Sequence, residues 1–263
     1  MKEQNDSLAD LRSDDPRARA AALQRIAATG RATPDELEQV TACLAAKEKL
    51  VQKGAAEALA ALHRTGADVR SRLRSILRSA DLRERWGATF ALSLIGPLPS
   101  EALGVLLESL GFDDGDIRWA AAELLLKMPE RGGHAARLVE LLASHNPRQR
   151  KMAAYCLRTL GVRSSEIDAA LCHALTDARS EVRLAALAAL SRLALDPTGA
   201  AQHVALRIDD VDAGVRRAAA AALGDLGRPL PEALTALDRA ASGADPSLRR
   251  AARRSLEKLG GGS

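Results

Sequence analysis

The most regular feature of the chain is a pattern of apolar and polar positions that returns about every 33 residues. With Val215 as the anchor, equivalent positions follow one another at steps of 33, 33, 33, 32, 33, 33 and 33 residues. These anchors are Ala18, Val51, Glu84, Ile117, Gln149, Val182, Val215 and Leu248. The residue eight positions after each anchor is Leu or Ile in every case. A fixed period of this length predicts a stack of eight similar structural units.

Each repeat is predicted to contain two helices. In the first half of a repeat, apolar residues stand three or four positions apart, as in Leu37, Val40 and Leu44, which is the spacing of one helix face. The second half begins just before the anchor, and Pro16 and Pro147 occupy its start, where proline suits the first helical turn. The predicted second helices lie near 16–28, 50–63, 82–94, 115–127, 147–159, 179–193, 212–225 and 245–258.

Composition supports a helical protein and excludes several kinds of site. Hydrophobic residues make up 47% of the chain but aromatic residues only 2%, and the dominant Leu and Ala are strong helix formers. The fold class is therefore predicted to be all-α. The three cysteines, Cys43, Cys156 and Cys172, have no CxxC spacing, so we expect neither a disulfide framework nor a metal site. No cofactor-binding motif is present, and we expect no cofactor.

The repeat sequence resembles a known family. The segment Asp212 to Gly227, DAGVRRAAAAALGDLG, is similar to HEAT-like repeats of the short, Ala-rich kind found in phycobilisome-lyase-type proteins. The glycine-rich end of the sequence predicts a flexible tail at 261–263. The resemblance implies a right-handed α-solenoid in which the eight two-helix repeats form one domain over residues 1–260. It also implies that second helices line a concave surface. Turn aspartates and second-helix arginines, such as Asp177 with Arg183, are implied to form a ladder linking repeats.

Departures from the repeat pattern predict looser packing in some repeats. Arg follows the anchor in seven of the eight repeats, and Gln52 is the exception. Glu84 and Gln149 place polar groups at the anchor itself. We expect the repeats with these residues to pack less tightly than the others.

The chain's few aromatic residues are concentrated in two columns of the second helix. Positions two and six after the anchor are four residues apart and share one helix face. Four of the five aromatic residues fall there, all in repeats three to five. With their charged neighbours, they form the predicted partner-binding site: Trp86, Phe90, Trp119, Tyr155, Lys53, Lys151 and Glu123. Clustered aromatic residues with charges around them are typical of binding hot spots, although rings that only pack between helices are the alternative.

The predicted function is a non-enzymatic scaffold or adaptor, a monomer that binds a protein or peptide partner in its concave groove. Two alternatives stay open. Trp119 and Glu123, one helical turn apart, are similar to the aromatic and carboxylate pair of HEAT-like alkylpurine DNA glycosylases, which act on a nucleobase. The repeat subtype also resembles bilin lyases and chromophore chaperones.

Charge and hydropathy narrow the range of expected partners and cellular locations. Lys and Arg total 38 against 34 Asp and Glu, a net charge of +4, which permits nucleic-acid binding but does not indicate it. A second charged surface is the last helix, with Arg249, Arg250, Arg253 and Arg254; capping of the stack and docking of an acidic partner both account for it.

The chain start lacks the apolar core of a signal peptide, and no apolar run has the length of a membrane span. We expect a cytoplasmic protein without membrane contact.

Overall fold

The structure, a computed structural model, describes residues 2–260, with the side chains of 7–130 and 132–260. In that range every regular element is helical, so the predicted all-α class is confirmed. The first helices of the eight repeats are α1 (Lys2–Leu11), α3 (Pro34–Ala42), α5 (Val69–Ile76), α7 (Ala102–Ser109), α9 (Arg131–Leu141), α11 (Ser165–Ala174), α13 (Pro197–Ala205) and α15 (Pro231–Ser242). The predicted tail at 261–263 lies outside the described residues.

The second helices begin within one residue of the starts that the repeat spacing gives. They are α2 (Pro16–Thr29), α4 (Lys49–Arg64), α6 (Leu82–Ile95), α8 (Gly115–Lys127), α10 (Pro147–Leu160), α12 (Ser180–Leu193), α14 (Ala213–Leu226) and α16 (Pro246–Gly260). A short 3₁₀ turn, Cys43–Ala45, follows α3. A pair of helices is therefore the building unit of the fold.

Polar residues in the turns fix where the second helices start. Asp15, Asp81, Asp114 and Asn146 are N-caps whose side chains accept a hydrogen bond from a backbone N–H of the first turn. Each such cap satisfies a donor that the helix itself cannot pair. The starts of these four helices are thus set locally, by Asp or Asn at the same place in the repeat. Glu48 and Arg179 stand at that place before α4 and α12 and make no side-chain cap.

The chain forms two compact units, residues 1–109 and 110–263. In unit 1, α2 packs against α4 and α4 against α6. In unit 2, the second helices α8, α10, α12, α14 and α16 pack in chain order, each on the next. The organisation of both units as one continuous domain stays a prediction.

Alanine at one repeat position allows the second helices to pack closely. The residue four positions after the anchor is alanine in all eight repeats, and each of these alanines is fully buried: Ala22, Ala55, Ala88, Ala121, Ala153, Ala186, Ala219 and Ala252. A methyl group at the contact permits interaxial distances at the short end of the usual range of about 8–10 Å. Larger side chains eight positions after the anchor, such as Leu157 and Leu190, then fill the interior.

An arginine–aspartate ladder joins consecutive repeats in unit 2. Arg150 donates two hydrogen bonds to Asp177, at 2.5 and 2.9 Å, and Arg183 donates to Asp210 at 2.6 Å. Each arginine therefore pairs with the aspartate of the following repeat. The resemblance implied a pair between Asp177 and Arg183, but Arg183 reaches only the backbone carbonyl of Asp177, at 2.7 Å. The guanidinium has enough donors to bind its own turn and the next repeat at once.

The polar residues that depart from the pattern are hydrogen-bonded. The Gln52 side chain donates to the backbone carbonyl of Leu44 at 2.7 Å. Ser79 donates to Glu84 at 2.5 Å, and Ser144 donates to the side-chain oxygen of Gln149 at 2.6 Å. Because these groups have partners, their burial does not leave a polar atom unpaired.

Candidate functional site

An aromatic pair lies on the second helices of unit 2. Trp119 stands on α8 and Tyr155 on α10, at the two columns that the repeat pattern singles out. The ring centroids are 4.7 Å apart and the planes meet at 87°, an edge-to-face contact that aromatic rings favour. Trp119 nevertheless keeps 45% of its surface exposed. A large ring is therefore held in place by its neighbour while much of it remains open to solvent.

The same pair borders a cavity of about 250 Å³. The cavity is formed by three successive second helices, α8, α10 and α12, and its lining is Trp119, Lys151, Met152, Tyr155, Arg158, Glu181, Leu184 and Ala185. Most of this lining is apolar surface. Pockets for whole drug-sized ligands measure about 300–1,000 Å³, so this cavity has the size for one large side chain.

Charged groups stand around the apolar cavity. The Arg158 guanidinium carbon lies 5.4 Å from the centroid of the Tyr155 ring, within the range of a cation–π contact. A hydrogen bond to its own backbone N–H lowers the pKa of Glu181, burial opposes this, and the charges of Arg179 and Lys151 lower it further. Glu181 is therefore ionised at neutral pH. The cavity thus has both signs of charge at its border, with Lys151 exposed beside it.

The other aromatic pair belongs to unit 1. Trp86 and Phe90, one turn apart on α6, have ring centroids 6.0 Å apart with planes at 26°. The sequence pattern places Trp86 on an exposed helix face, but the structure buries it, with 3% of its surface exposed. Beside it, the backbone of α6 comes very close to the turn after α3: a Cβ on Gly87 would lie 2.4 Å from the Leu44 carbonyl oxygen. Trp86 is therefore part of the packed interior of unit 1.

The remaining predicted site residues are charged and exposed. Lys53 lies on α4 in unit 1 and pairs with Glu57 at 3.6 Å. Glu123 lies on α8 in unit 2, one turn after Trp119, and does not line the cavity. The structure therefore brings Trp119, Tyr155 and Lys151 together. A continuous arrangement of all four rings, which spans both units, stays a prediction.

Five cavity residues were not part of the predicted site: Met152, Arg158, Glu181, Leu184 and Ala185. The repeat register identifies one of them. Leu184 occupies the same repeat position as Trp119 and Lys151, two positions after the anchor, one repeat further along the chain. Arg158 stands nine positions after its anchor, outside the two columns that were compared. A search over all second-helix positions of neighbouring repeats would have found Leu184 and Arg158.

Cysteine chemistry is not favoured at any of the three thiols. Cys43 and Cys156 are buried and Cys172 is half-buried. Burial raises the pKa of Cys156 to about 12 and that of Cys172 to about 11, so these groups are protonated thiols at neutral pH. Within residues 2–260, no cluster of three or more His, Cys, Asp or Glu side chains is placed to hold a metal ion. Among the described helices, none has the length and apolar character needed to cross a bilayer.

Comparison with known proteins identifies the repeats. A family model of HEAT repeats matches residues 105–191 and 169–257, which together make up more than half of the chain. No curated protein matches the sequence significantly.

Several solved structures are similar in fold. An engineered protein is 21% identical, with 98% of this chain and 79% of that chain covered and a TM-score of 0.51. Importin beta, crystallised in an ammonium sulfate condition, is 16% identical; 96% of this chain and 40% of importin beta are covered, with a TM-score of 0.58. At these identities the likeness concerns the fold alone. Human deoxyhypusine hydroxylase in complex with glycerol is 20% identical, with 99% and 96% of the chains covered, but its TM-score of 0.41 carries no argument.

Proposed function

The chain belongs to the HEAT repeat family, and we propose that it is a non-enzymatic scaffold that binds a protein partner on the second helices of unit 2. Its binding site is the cavity between α8, α10 and α12. The observation that supports this most directly is the state of Trp119, which is 45% exposed and yet fixed by an edge-on contact with Tyr155.

A fixed and exposed aromatic ring is well suited to binding. Trp and Tyr are the residues most often responsible for affinity at protein interfaces, because they bury a large area with few rotatable bonds. Here the contact with Tyr155 restricts the ring before any partner arrives. Little conformational entropy is then lost on binding, which favours affinity.

The surroundings of the cavity fit the same role. An apolar centre bordered by Lys151, Arg158 and Glu181 has the arrangement of an interface hot spot, in which polar residues surround a desolvated core. The cavity accepts one large apolar side chain, and the charges at its border select the residues that flank it.

Selection from a displayed library of random peptides tests this function, because the library itself supplies the binding segments. Peptides are selected on the wild-type chain, and their affinities are measured for wild type and Trp119→Ala. Loss of a hot-spot residue costs about 2 kcal/mol or more, so the selected peptides should bind the variant about 30-fold more weakly. The matched control is Leu206→Ala, which removes an apolar side chain that is 65% exposed and lies outside the cavity. Its affinity should equal that of wild type. Peptides that bind Trp119→Ala as tightly as wild type would show that the cavity is not the binding site.

A further inference from the structure

Cationic side chains extend from the cavity along the second helices of unit 2. The residue two positions after the anchor is Lys151 on α10, Arg217 on α14 and Arg250 on α16, and Arg254 follows one turn after Arg250. All four are exposed. We call these four residues the cationic row.

The row begins at the wall of the cavity. Leu184, which lines the cavity, has its Cδ1 atom 3.9 Å from the Cβ position at Gly214, and an Nη2 atom of Arg217 lies 3.9 Å from that same position. Both side chains therefore lie beside the N-terminal end of α14. Lys151 itself lines the cavity. The apolar cavity and the cationic row are neighbouring parts of one surface.

Capping of the last repeat does not account for the placement of the arginines on α16. The side of α16 that faces α14 is marked by Ser255, which donates to the Ala220 carbonyl at 2.7 Å, and by Lys258, which binds Asp225 at 2.6 Å. Arg250 and Arg254 stand instead at the repeat positions that Lys151 and Tyr155 occupy on α10. They continue the face that bears the cavity.

The four cations of the row form no close ion pair with any described residue. Backbone hydrogen bonds lower the pKa values of Glu181 and Asp245, and the charges of Lys151 and Arg217 act on these two acids and lower the values further. Among the residues that the structure describes, none of its four cations has an acidic group within 4.0 Å. Two of the acids beside the row have other partners: Glu181 binds Arg179 at 3.4 Å, and Asp245 accepts backbone hydrogen bonds at the start of α16. A third acid, Glu257, lies beside Arg250 and Arg254. An acidic ligand would therefore meet four exposed cations.

From these observations we propose that the partner segment is an extended acidic peptide. It places one large apolar side chain in the cavity and Asp or Glu side chains along the cationic row. This proposal rests on the proposed function for its apolar anchor, while its acidic character depends on the arginines alone. Three helix-to-helix steps of about 8–10 Å separate Lys151 from Arg250, so roughly eight extended residues at about 3.3 Å each span the row.

A protein segment fits this surface better than a nucleic acid. A nucleic acid presents a phosphate on every residue and gains affinity mainly from neutralising many of them. Here four cations are spread over three helices, Glu181 and Glu257 lie at their border, and an apolar cavity stands at one end. A ligand therefore needs both apolar and acidic side chains to contact the cavity and the cationic row together.

The test uses three fluorescein-labelled synthetic peptides, each of about twelve residues, with one Phe as anchor in a Glu/Ser, a Gly/Ser or a Lys/Ser background. Binding to the whole chain is measured by fluorescence anisotropy at about 0.05 M and about 0.5 M salt. The variant Arg217→Ala/Arg250→Ala/Arg254→Ala removes three charges of the row. The matched control, Arg137→Ala/Arg192→Ala/Arg228→Ala, removes three exposed arginines elsewhere in unit 2. A single-stranded DNA oligonucleotide of the same length is the competitor.

The glutamate peptide should bind wild type at least about tenfold more tightly than the neutral peptide at low salt, and the lysine peptide should bind least. The row variant should lose that preference, the control should keep it, and high salt should reduce it. Equal binding of the acidic and neutral peptides, or a preference that survives in the row variant, would overturn the proposal. So would displacement of the acidic peptide by the oligonucleotide at lower concentration than by unlabelled peptide.

The proposed function fails in a different way. If Trp119→Ala binds all three peptides as wild type does, the cavity is not the anchor site, whatever the row shows. If Trp119→Ala weakens all three peptides while the acidic preference is absent, the cavity binds a partner segment that is not acidic.

Discussion

Arg183 and Asp210 form a buried ion pair that joins two consecutive repeats. The Arg183 Nη2 atom lies 2.6 Å from the Asp210 carboxylate, and the two side chains are 8% and 3% exposed. Arg183 also donates from Nη1 to the Asp177 carbonyl at 2.7 Å. One guanidinium thus binds the turn of its own repeat and the carboxylate of the next, and this arrangement makes the packing of the two repeats interdependent.

Removal of the Asp210 carboxylate should destabilise unit 2. Asp210→Ala leaves the Arg183 charge buried without its partner, and loss of one member of a buried pair costs about 3 kcal/mol. The matched control is Arg239→Ala, which breaks an exposed pair with Asp209 and should cost less than about 1 kcal/mol. Urea denaturation followed by circular dichroism measures both. Equal effects of the two variants would show that the buried pair has no special role.

The arginine–aspartate ladder should also make the free energy of unfolding depend on pH in the acid range. Burial raises the pKa values of Asp177 and Asp210, but the hydrogen bonds and charges of Arg150 and Arg183 outweigh it and hold both below their usual values. With folded pKa values below the unfolded value of about 3.9, the stabilisation is complete well above that pH. It is lost as the pH falls through the folded values. Free energies of unfolding measured from neutral pH to about pH 3 should therefore fall more steeply for wild type than for Asp177→Asn/Asp210→Asn; parallel curves would contradict this origin.

Gly87 should resist substitution because of its contact with Leu44. A Cβ at this position would lie 2.4 Å from the Leu44 carbonyl oxygen, so Gly87→Ala must move α6 and should cost about 1–3 kcal/mol, as overpacking does. Gly104 on α7 provides the control, since a Cβ there meets nothing within 4 Å. Gly104→Ala should stabilise the protein by about 0.5–1 kcal/mol through helix propensity. Thermal unfolding measures both changes, and a Gly87→Ala variant as stable as wild type would be inconsistent with this packing.

The two tryptophans should differ in their effect on stability. Trp86 is 3% exposed and Trp119 is 45% exposed, although they occupy the same repeat position. Trp86→Ala should cost about 3–5 kcal/mol, the range for a buried aromatic residue, and Trp119→Ala less than half of that. Chemical denaturation of both variants gives the comparison. A larger loss for Trp119→Ala would mean that this ring serves the fold rather than a partner.

The repeat period was sufficient to predict the helices, because the same apolar and turn residues return at the same phase. The burial of individual residues was not predictable in this way. Trp86 and Trp119 share one column, yet Trp86 is 3% exposed and Trp119 is 45% exposed. The repeat period predicts the direction in which a side chain leaves its own helix. The exposed fraction of that side chain depends on how close the neighbouring helices lie.

The partners in the arginine–aspartate ladder were likewise not predictable from the repeat pattern. The family resemblance implied a pair between Arg183 and Asp177, but the guanidinium reaches the carboxylate of Asp210, 27 residues further on. Leu184 likewise completes the cavity from the repeat after Tyr155. To predict contacts between repeats, one must know how far each helix is shifted along its neighbour. The sequence pattern within one repeat does not give that shift.

The central claim, that Trp119 binds the partner segment, can be tested by the fluorescence of that residue itself. The chain has two tryptophans, so Trp86→Phe leaves Trp119 as the only one. A selected peptide without aromatic residues should shift the emission of this variant to shorter wavelength as the exposed ring is covered. In the reciprocal variant, Trp119→Phe, the emission of the buried Trp86 should not change. An unchanged Trp119 emission at a peptide concentration that saturates binding would contradict the account.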